Sequence, residues 1–402
     1  MSSKNNETYT FIDLFCGAGG FSSGLEQAGW NCLLGIDFDK HAMKTFAHNH
    51  PKAIAHHGDI SQLTEQKLRE LLKLSGHTAS TVDLVVGGPP CQGFSTVGKG
   101  QSNDTRNHLF THFVKVVKWT KPKVVLFENV TGLLAKKNEP VLRSIFDEFK
   151  KLGYQMHAQI LDAHHYGVPS MRRRTFIIGS QVVDPKQIIP RPTCDGINSP
   201  FVSFAQGCDE LMSKKKNNFN HDIDSSVPQD ELLVKRLKFI PEGKGIRYQA
   251  DEEQYLPKRL RLGIDWVKLP EGRLRQKKMH RLHSQTPAPT IMTSRYGYFH
   301  PTAPRYLTVR EAAVCQSFPS DFIFHGPLTA QFRQIGNAVP PRLGLSFGKQ
   351  LMKLWKLPWK GKRPRQLKEE TFAGLRSQAF AFKRKSKLAL LVSEEHEGRV
   401  ES

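Results

Sequence analysis

The segment with the clearest chemical potential is 87–95, which reads GGPPCQGFS. It directly follows the apolar run 82–86, and such a run bounded by glycine and proline predicts a buried strand that opens into a loop. Two prolines restrict the backbone before Cys91, so the thiol would point in one direction, as a nucleophile requires. The alternative is a cysteine that packs as a small apolar side chain. Because the neighbouring glycines leave little bulk to bury the sulfur, we predict a nucleophile.

A second candidate site follows the first predicted strand, at residues 13–20, which read DLFCGAGG. Glycines between a strand and a helix let the backbone turn tightly and approach a ligand closely. Asp37, at the end of the next predicted strand, is placed to accept hydrogen bonds from ribose hydroxyls. Asp59 follows another strand end, where an adenine amine can be bound. Each aspartate alone is equally typical of a helix cap, but together with the glycine loop they predict an adenosine-containing cofactor.

Charged side chains follow two further predicted strands. Glu128 comes directly after the apolar run 123–127, so its carboxylate would face the same cleft as Cys91 and could exchange a proton with a substrate. Arg172 and Arg174 precede the predicted strand 175–178, and alternate residues of a strand share one face, so both can enter that cleft. They would bind a phosphate or orient the substrate and Glu128. The alternatives are a surface glutamate that begins a turn and a solvated basic edge.

Short apolar runs alternate with helical stretches from residue 9 to about residue 179. The predicted strands are 11–15, 32–36, 82–86, 124–127 and 176–179, and the predicted helices are 24–28, 39–50 and 109–119. This alternation predicts an α/β protein with a doubly wound, mostly parallel sheet. Sheets of this kind bind ligands at the carboxyl ends of their strands, where the candidate residues lie.

The sequence changes in character after about residue 180. Prolines, polar loops and basic clusters dominate up to about residue 304, which indicates a second, smaller and irregular domain. Helical patterns return at 308–316 and 342–354, and a basic tail follows that is either a terminal helix or partly disordered. The predicted segments are 1–180, 181–303, 304–355 and 356–402.

The composition is that of a soluble and strongly basic protein. The 402 residues are 38% hydrophobic and 24% charged, with a formal net charge of +22. This charge favours a polyanionic partner, above all nucleic acid, over a merely basic surface. No apolar run is long enough to cross a bilayer and residues 1–10 lack a secretory signal, so we expect a cytoplasmic protein without membrane contact. The six scattered cysteines lack metal-ligand spacing, so neither disulfides nor a structural metal is expected.

Several of these segments, taken in order, resemble the motifs of the DNA cytosine-5 methyltransferase family of the bacterial restriction–modification type. They are 13–20, 87–95, 128–130, 172–174, Arg310-Glu311 with Gln316-x-Phe318-Pro319, and 336–340. The resemblance covers about residues 8–180 and 289–355, and the ordered set is far more specific than any single motif. One position departs from the family: Ser170 stands where glutamine is usual, two places before Arg172.

The resemblance implies the S-adenosylmethionine-dependent methyltransferase fold, with a discontinuous large domain and a target-recognition domain at about 181–303. It also implies a binding site for S-adenosyl-L-methionine. The implied cofactor-binding residues are Phe15, Gly17, Gly19, Gly20, Asp37, Asp59, Ile60, Pro90, Leu109 and Asn337. Arg310 and Glu311 would support the structure, and residues 289–291 resemble the segment that contacts DNA around the target base.

The implied catalytic residues are Cys91, Glu128, Arg172 and Arg174. In the implied reaction the Cys91 thiolate adds to carbon-6 of a cytosine flipped out of double-stranded DNA, Glu128 hydrogen-bonds the ring, and carbon-5 receives the methyl group. The expected partner is double-stranded DNA. The family type also allows a restriction endonuclease that acts on the same site, and we expect the methyltransferase to be a monomer.

Three alternatives share parts of this pattern. A tRNA cytosine-5 methyltransferase would use the same catalytic residues, although the long basic middle region favours duplex DNA. A catalytically silent DNA-binding member of the family would be expected to have lost Cys91 or Glu128, and both are present. A nicotinamide dehydrogenase could share the glycine loop, but its chemistry does not require a Pro-Pro-Cys turn.

Overall fold

The structure, a computed structural model, describes residues 8–89, 109–212, 218–268 and 278–355, together with Gly374, Leu375 and Ser377. The chain divides into two compact units. The first unit lies within residues 1–167, 173–200 and 338–402, and the second comprises residues 168–172 and 201–337. Over the described residues, no helix is both long and apolar enough to span a bilayer.

The strands and helices of the described residues are as follows. The strands are β1 (Thr10–Leu14), β2 (Asn31–Asp37), β3 (Ile54–His57), β4 (Leu84–Gly87), β5 (Val124–Asn129), β6 (Gln155–Asp162), β7 (Ser170–Met171), β8 (Arg173–Ser180) and β9 (Ala288–Pro289). The helices are α1 (Gly20–Gln27), α2 (Lys40–Asn49), α3 (Glu65–Leu74), α4 (Leu109–Thr120), α5 (Glu139–Lys151), α6 (Phe204–Leu211), α7 (Glu231–Leu237), α8 (Gln249–Tyr255), α9 (Val309–Cys315), α10 (Leu328–Asn337) and α11 (Pro341–Trp355).

A seven-stranded sheet in the order β3-β2-β1-β4-β5-β8-β6 forms the centre of the first unit. The pairs from β3 to β5 are parallel, whereas β8 is antiparallel to both β5 and β6. Strands β1, β4 and β5 are buried along their whole length, as expected for strands of a parallel sheet covered on both faces. The prediction of an α/β fold with a mostly parallel sheet is confirmed.

Helix α11 returns the chain to the first unit and packs against α1. The two helices approach so closely that a Cβ atom at Gly24 would collide with the main-chain carbonyl of Pro341. Leu375, from the basic C-terminal segment, is 2% exposed and belongs to the apolar core of the same unit. This segment therefore contributes at least one side chain to the folded core.

The second unit is irregular. It contains α6 to α10, the two-residue parallel pair β7–β9, and a core cluster of its own that includes Leu237, Ile246 and Phe299. Residues 304–337 belong to this unit, whereas the sequence placed 304–355 in one segment of the first domain. The reason is local packing, since α9 contacts both α6 and α10 within the second unit.

Candidate active site

The glycine loop follows β1 and has a backbone that few side chains tolerate. Phe15, Gly17 and Gly19 have φ angles of 57°, 55° and 89°, and Gly20 begins α1. An added Cβ at Gly17 would meet no atom within 4 Å, whereas at Gly19 it would collide with the ring of His50. The loop therefore borders open space at Gly17 and rests on His50 behind it.

Asp37 joins this loop to the end of β2. Its Oδ2 accepts a hydrogen bond of 2.9 Å from the Gly17 amide, and its Oδ1 accepts one of 2.9 Å from the Asp39 amide. Burial raises the pKa of Asp37 above its usual value, although these amides oppose the shift. Each carboxylate oxygen has a second lone pair, so the residue can still accept hydrogen bonds from a ligand.

Asp59 and Ile60 follow β3 and have different surroundings. Asp59 is exposed, and its Oδ1 accepts a 2.8 Å hydrogen bond from the Ser61 amide, which makes it the cap of a short 3-10 turn. Ile60 is 5% exposed and packs into the core of the unit. The capping alternative for Asp59 is thus realised, and its Oδ2 remains available for a ligand contact.

Phe38 was not identified as a site residue from the sequence. It directly follows Asp37, its side chain is 72% exposed, and a 2.9 Å contact between its carbonyl and His57 Nε2 holds its backbone. This exposed aromatic ring beside Asp37 offers a flat apolar surface. The sequence signal that could have identified Phe38 is an aromatic residue directly after the acid at a strand end.

The remaining predicted cofactor residues belong to both units or lie outside the described residues. Leu109 is half-buried at the start of described α4 in the first unit, and Asn337 is exposed at the end of α10 in the second. Pro90 and Cys91 lie outside the described residues. Within the described ranges, no cluster of three or more His, Cys, Asp or Glu residues could hold a metal ion.

Glu128 and Arg174 lie side by side at the carboxyl end of β5, in the sheet of the first unit. Glu128 is 8% exposed near the end of β5, and its Oε1 lies 2.7 Å from Nε of Arg174. Antiparallel pairing places Glu128 opposite Phe176, and Arg174 lies two residues before Phe176 on the same face of β8. The register of β5 and β8 therefore brings the Glu128 carboxyl group and the Arg174 guanidinium group together.

Arg172 lies outside the strand that carries Arg174. It falls between β7 and β8 and belongs to the second unit, where it is 2% exposed and donates a 2.8 Å hydrogen bond to the Gly336 carbonyl. The expectation that Arg172 and Arg174 share one face of a strand is wrong, because β8 begins at Arg173. The predicted catalytic role of Arg172 stays a prediction.

The position that departs from the family pattern is also buried. Ser170 is fully buried and donates a 3.1 Å hydrogen bond to the carbonyl of Pro289. Thr290 adds a 2.9 Å bond from its hydroxyl to the Met171 carbonyl, beside the β7–β9 pair. Ser170 and Met171 thus tie the segment before the arginines to Pro289 and Thr290 in the second unit.

Comparison with known proteins places the chain in a family. Residues 9–353 match the family model described as C-5 cytosine-specific DNA methylase. The chain therefore belongs to the C-5 cytosine-specific DNA methylase family, and its enzyme class is DNA (cytosine-5-)-methyltransferase. The family resemblance drawn from the ordered motifs is confirmed.

Individual relatives agree with this assignment. The Type II methyltransferase M1.HphI of Haemophilus parahaemolyticus is 36% identical over 351 residues, which cover 86% of this chain and 87% of that protein. M.DdeI of Desulfomicrobium norvegicum is 33% identical over 379 residues, covering 85% and 88% of the two chains. Both relatives bear the name of Type II methyltransferases, the class that the motifs resemble.

Solved structures agree on the fold. A prophage-encoded E. coli protein assigned as a DNA modification methyltransferase superposes with a TM-score of 0.66 at 25% identity, covering 87% of this chain and 99% of its own. The S. pombe Dnmt2 methyltransferase gives a TM-score of 0.57 at 16% identity, covering 87% and 100%, and at that identity it shows the fold alone.

Proposed function

We propose that this enzyme transfers a methyl group from S-adenosylmethionine to carbon-5 of a cytosine within a specific double-stranded DNA sequence, as the modification enzyme of a restriction–modification system. Membership of the family and the Type II relatives support the reaction class and the DNA substrate. The observation that carries the proposal is the sheet edge at the end of β5, where Glu128 is buried against Arg174 and the adjacent Asn129 contacts Pro89, two residues before Cys91.

The first unit offers a site that fits the methyl donor. The Gly17 loop borders open space, Asp37 has spare acceptor capacity for ribose hydroxyls, and Phe38 presents an exposed ring on which an adenine can stack. Asp59 would accept from the adenine amine through its second oxygen. When bound, the donor supplies a methyl group on a positively charged sulfur.

The protein's own groups would activate the cytosine. The Cys91 thiolate forms a bond to carbon-6, which makes carbon-5 nucleophilic enough to take the methyl group. Glu128 donates a proton to ring nitrogen-3, where negative charge develops, and accepts a hydrogen bond from the exocyclic amine. Arg174 holds that carboxyl group in place. Water then takes the proton from carbon-5, the double bond between carbon-5 and carbon-6 forms again, and the bond between carbon-6 and sulfur breaks to release the Cys91 thiolate.

Carbon-6 is inaccessible inside a duplex, so the cytosine must leave the base stack. Base flipping costs roughly a few kcal/mol, and phosphate contacts by the basic surface offset that cost. We propose that the second unit, including residues 289–291, selects the target sequence. We also propose that the enzyme is monomeric and cytoplasmic, and that a cognate endonuclease acts on the same DNA site.

Replacing Cys91 tests the proposed function. Cys91→Ala should abolish methyl transfer, measured by bisulfite sequencing of plasmid DNA from an expressing host, while DNA binding in a gel-shift titration is retained. Cys194→Ala, at a half-buried cysteine of the first unit, should methylate like the unchanged enzyme.

Two further measurements use the unchanged enzyme. A duplex with 5-fluorocytosine at the target should trap a covalent adduct, since the departing proton is absent. Methyl incorporation into tRNA but not plasmid DNA would favour the RNA alternative. Normal plasmid methylation by Cys91→Ala would refute the proposed chemistry.

A further inference from the structure

We propose that Asn129 is a positioning residue that fixes the main chain at Pro89, two residues before Cys91. This inference rests on the proposed function. Asn129 is the last residue of β5 and is 4% exposed, and its Nδ2 donates a 3.1 Å hydrogen bond to the carbonyl of Pro89. Pro89 is separated from Cys91 by a single residue. The bond thus acts on the backbone immediately before the nucleophile.

Among the described residues, main-chain contacts with β1 follow the exit of β4 as far as Gly88. The Gly87 backbone packs so closely on β1 that a Cβ atom there would collide with the Leu14 carbonyl, and the Gly88 amide donates a 3.3 Å hydrogen bond to the same carbonyl. The next two residues are prolines, which have no N–H to donate. A main-chain carbonyl is therefore the group through which the sheet can hold Pro89, and the Asn129 amide binds it.

The orientation of the Asn129 amide follows from a second contact. Its Oδ1 accepts a 2.8 Å hydrogen bond from the Val130 amide, so the NH2 group is the part that faces Pro89. A carboxylate of the same shape could keep the bond from Val130 but could not donate to a carbonyl. Asparagine is thus required here for its donor and not only for its size.

The bond also ties Pro89 to the strand that carries Glu128. Glu128 and Asn129 are consecutive, and their side chains contact different partners: Glu128 lies against Arg174, and Asn129 binds Pro89. In the proposed reaction Cys91 and Glu128 must meet the same cytosine ring. Because a misplacement of about 1 Å can cost on the order of 100-fold in rate, a direct bond between their supports would act on the chemical step.

Asn138 provides a matched control in the same unit. It is 6% exposed, and its Nδ2 donates a 2.7 Å hydrogen bond to the Gly132 carbonyl before α5. Substitution at either asparagine removes one buried bond from a side-chain amide to a main-chain carbonyl. Only Asn129, however, binds the segment that leads to Cys91, so a general loss of stability and a loss of positioning can be distinguished.

The test measures the rate of the covalent step for Asn129→Ala, Asn129→Asp, Asn138→Ala and the unchanged enzyme. Adduct formation with a 5-fluorocytosine duplex is followed under single-turnover conditions at saturating S-adenosylmethionine. We expect both Asn129 variants to trap the duplex about 10- to 100-fold more slowly, with dissociation constants for donor and duplex within threefold of the unchanged enzyme. Asn138→Ala should trap within twofold of the unchanged rate, even though its melting temperature falls.

The other possible outcomes contradict either the positioning role of Asn129 or the proposed function. Trapping by both Asn129 variants at the unchanged rate would refute the positioning role, and so would an equal slowing in Asn138→Ala. The near-isosteric Asn129→Asp keeps the measurement decisive if Asn129→Ala does not fold. If the unchanged enzyme forms no adduct at all, the proposed function itself fails, and the inference fails with it.

Discussion

The two units of this protein satisfy their buried backbone in different ways. In the first unit the ladders of the seven-stranded sheet pair much of the buried main chain. In the second unit the strands described are only two residues long, and buried arginines take over part of this role. Every buried arginine among the described residues lies in the second unit: Arg172, Arg281, Arg305 and Arg310. Irregular backbone leaves carbonyls without ladder partners, and a guanidinium has five N–H donors to satisfy them.

Arg281 and Arg310 show the pattern most clearly. Arg281 donates to the carbonyls of Leu237 and Ile240 at 3.0 and 2.8 Å, and to that of His300 at 3.2 Å. Arg310 is fully buried and donates to three carbonyls, at Phe219, Pro319 and Phe322. Burial lowers the pKa of Arg310 to about 10, so it remains charged at neutral pH.

Two buried acids, Asp13 in the first unit and Glu311 in the second, differ in the direction of their pKa shifts. Burial raises the pKa of Asp13 in β1 to about 7, although the Ser22 hydroxyl donates to it at 2.6 Å. Burial also acts to raise the pKa of Glu311 in α9, but two hydrogen bonds from Arg305, at 2.7 and 2.8 Å, help to lower it below its usual value. Desolvation thus outweighs the other effects on the pKa of Asp13, whereas at Glu311 the hydrogen bonds and the neighbouring positive charges together outweigh it.

The largest effect is expected at Arg310. Arg310→Met keeps an unbranched apolar stem but leaves the three carbonyls without their donor. We expect the free energy of unfolding to fall by about 3–5 kcal/mol, as is usual when one partner of a buried charged network is removed. Urea denaturation measures the change. A loss below about 1 kcal/mol would contradict the idea that arginines support the second unit.

A smaller, pH-dependent effect is expected at Asp13. Because its folded-state pKa is raised above the unfolded value of 3.8 to about 7, its contribution to stability is complete below about pH 4 and is lost as the pH rises through 7. Asp13→Asn keeps an acceptor for Ser22 and cannot ionise. Its free energy of unfolding, relative to that of the unchanged protein, should rise by about 1–3 kcal/mol between pH 4 and pH 8. A difference that is flat with pH, in denaturation curves across that range, would show that Asp13 is not the titrating group.

The smallest effect is expected at an exposed arginine of the first unit. Arg69 in α3 contacts Glu65 at 2.6 Å, and both side chains are about half exposed, at 56% and 44%. Arg69→Ala should change the free energy of unfolding by less than about 0.5 kcal/mol, since solvent screens such a pair. Thermal denaturation of Arg69→Ala and of Arg310→Met under the same conditions compares the two losses of stability. A loss approaching that of Arg310→Met would show that burial is not what separates the two arginines.

Much of the first unit could be predicted from the sequence, because its strands are short apolar runs that end at glycine, proline or acidic residues. The predicted strands at 11–15, 32–36 and 124–127 correspond to β1, β2 and β5 within a few residues. Strand β6 was missed, since its sequence QMHAQILD alternates polar and apolar residues as an edge strand does. Helix α10 was also missed, within the segment that the motifs alone had marked.

The candidate site was predictable in its residue types and less so in its contacts. Glu128 and Asp37 lie at strand ends, as the apolar runs that precede them indicate. The pairing of Glu128 with Arg174 required the antiparallel register of β5 and β8, which joins residues distant in sequence. The separation of Arg172 from Arg174 depended on where β8 begins, and strand boundaries are set by tertiary pairing.

The chain alone determined the reaction class, because motif residues with reactive groups must occur in a particular order and spacing whatever surrounds them. It also determined the parallel core, because apolar runs have to be buried. Only the tertiary structure decided which side chains meet: that Asn129 binds Pro89 and that Arg310 binds three carbonyls. It also decided that the pKa of Asp13 is raised and that of Glu311 is lowered. Such contacts depend on distance and burial, and neither quantity is contained in the linear order of residues.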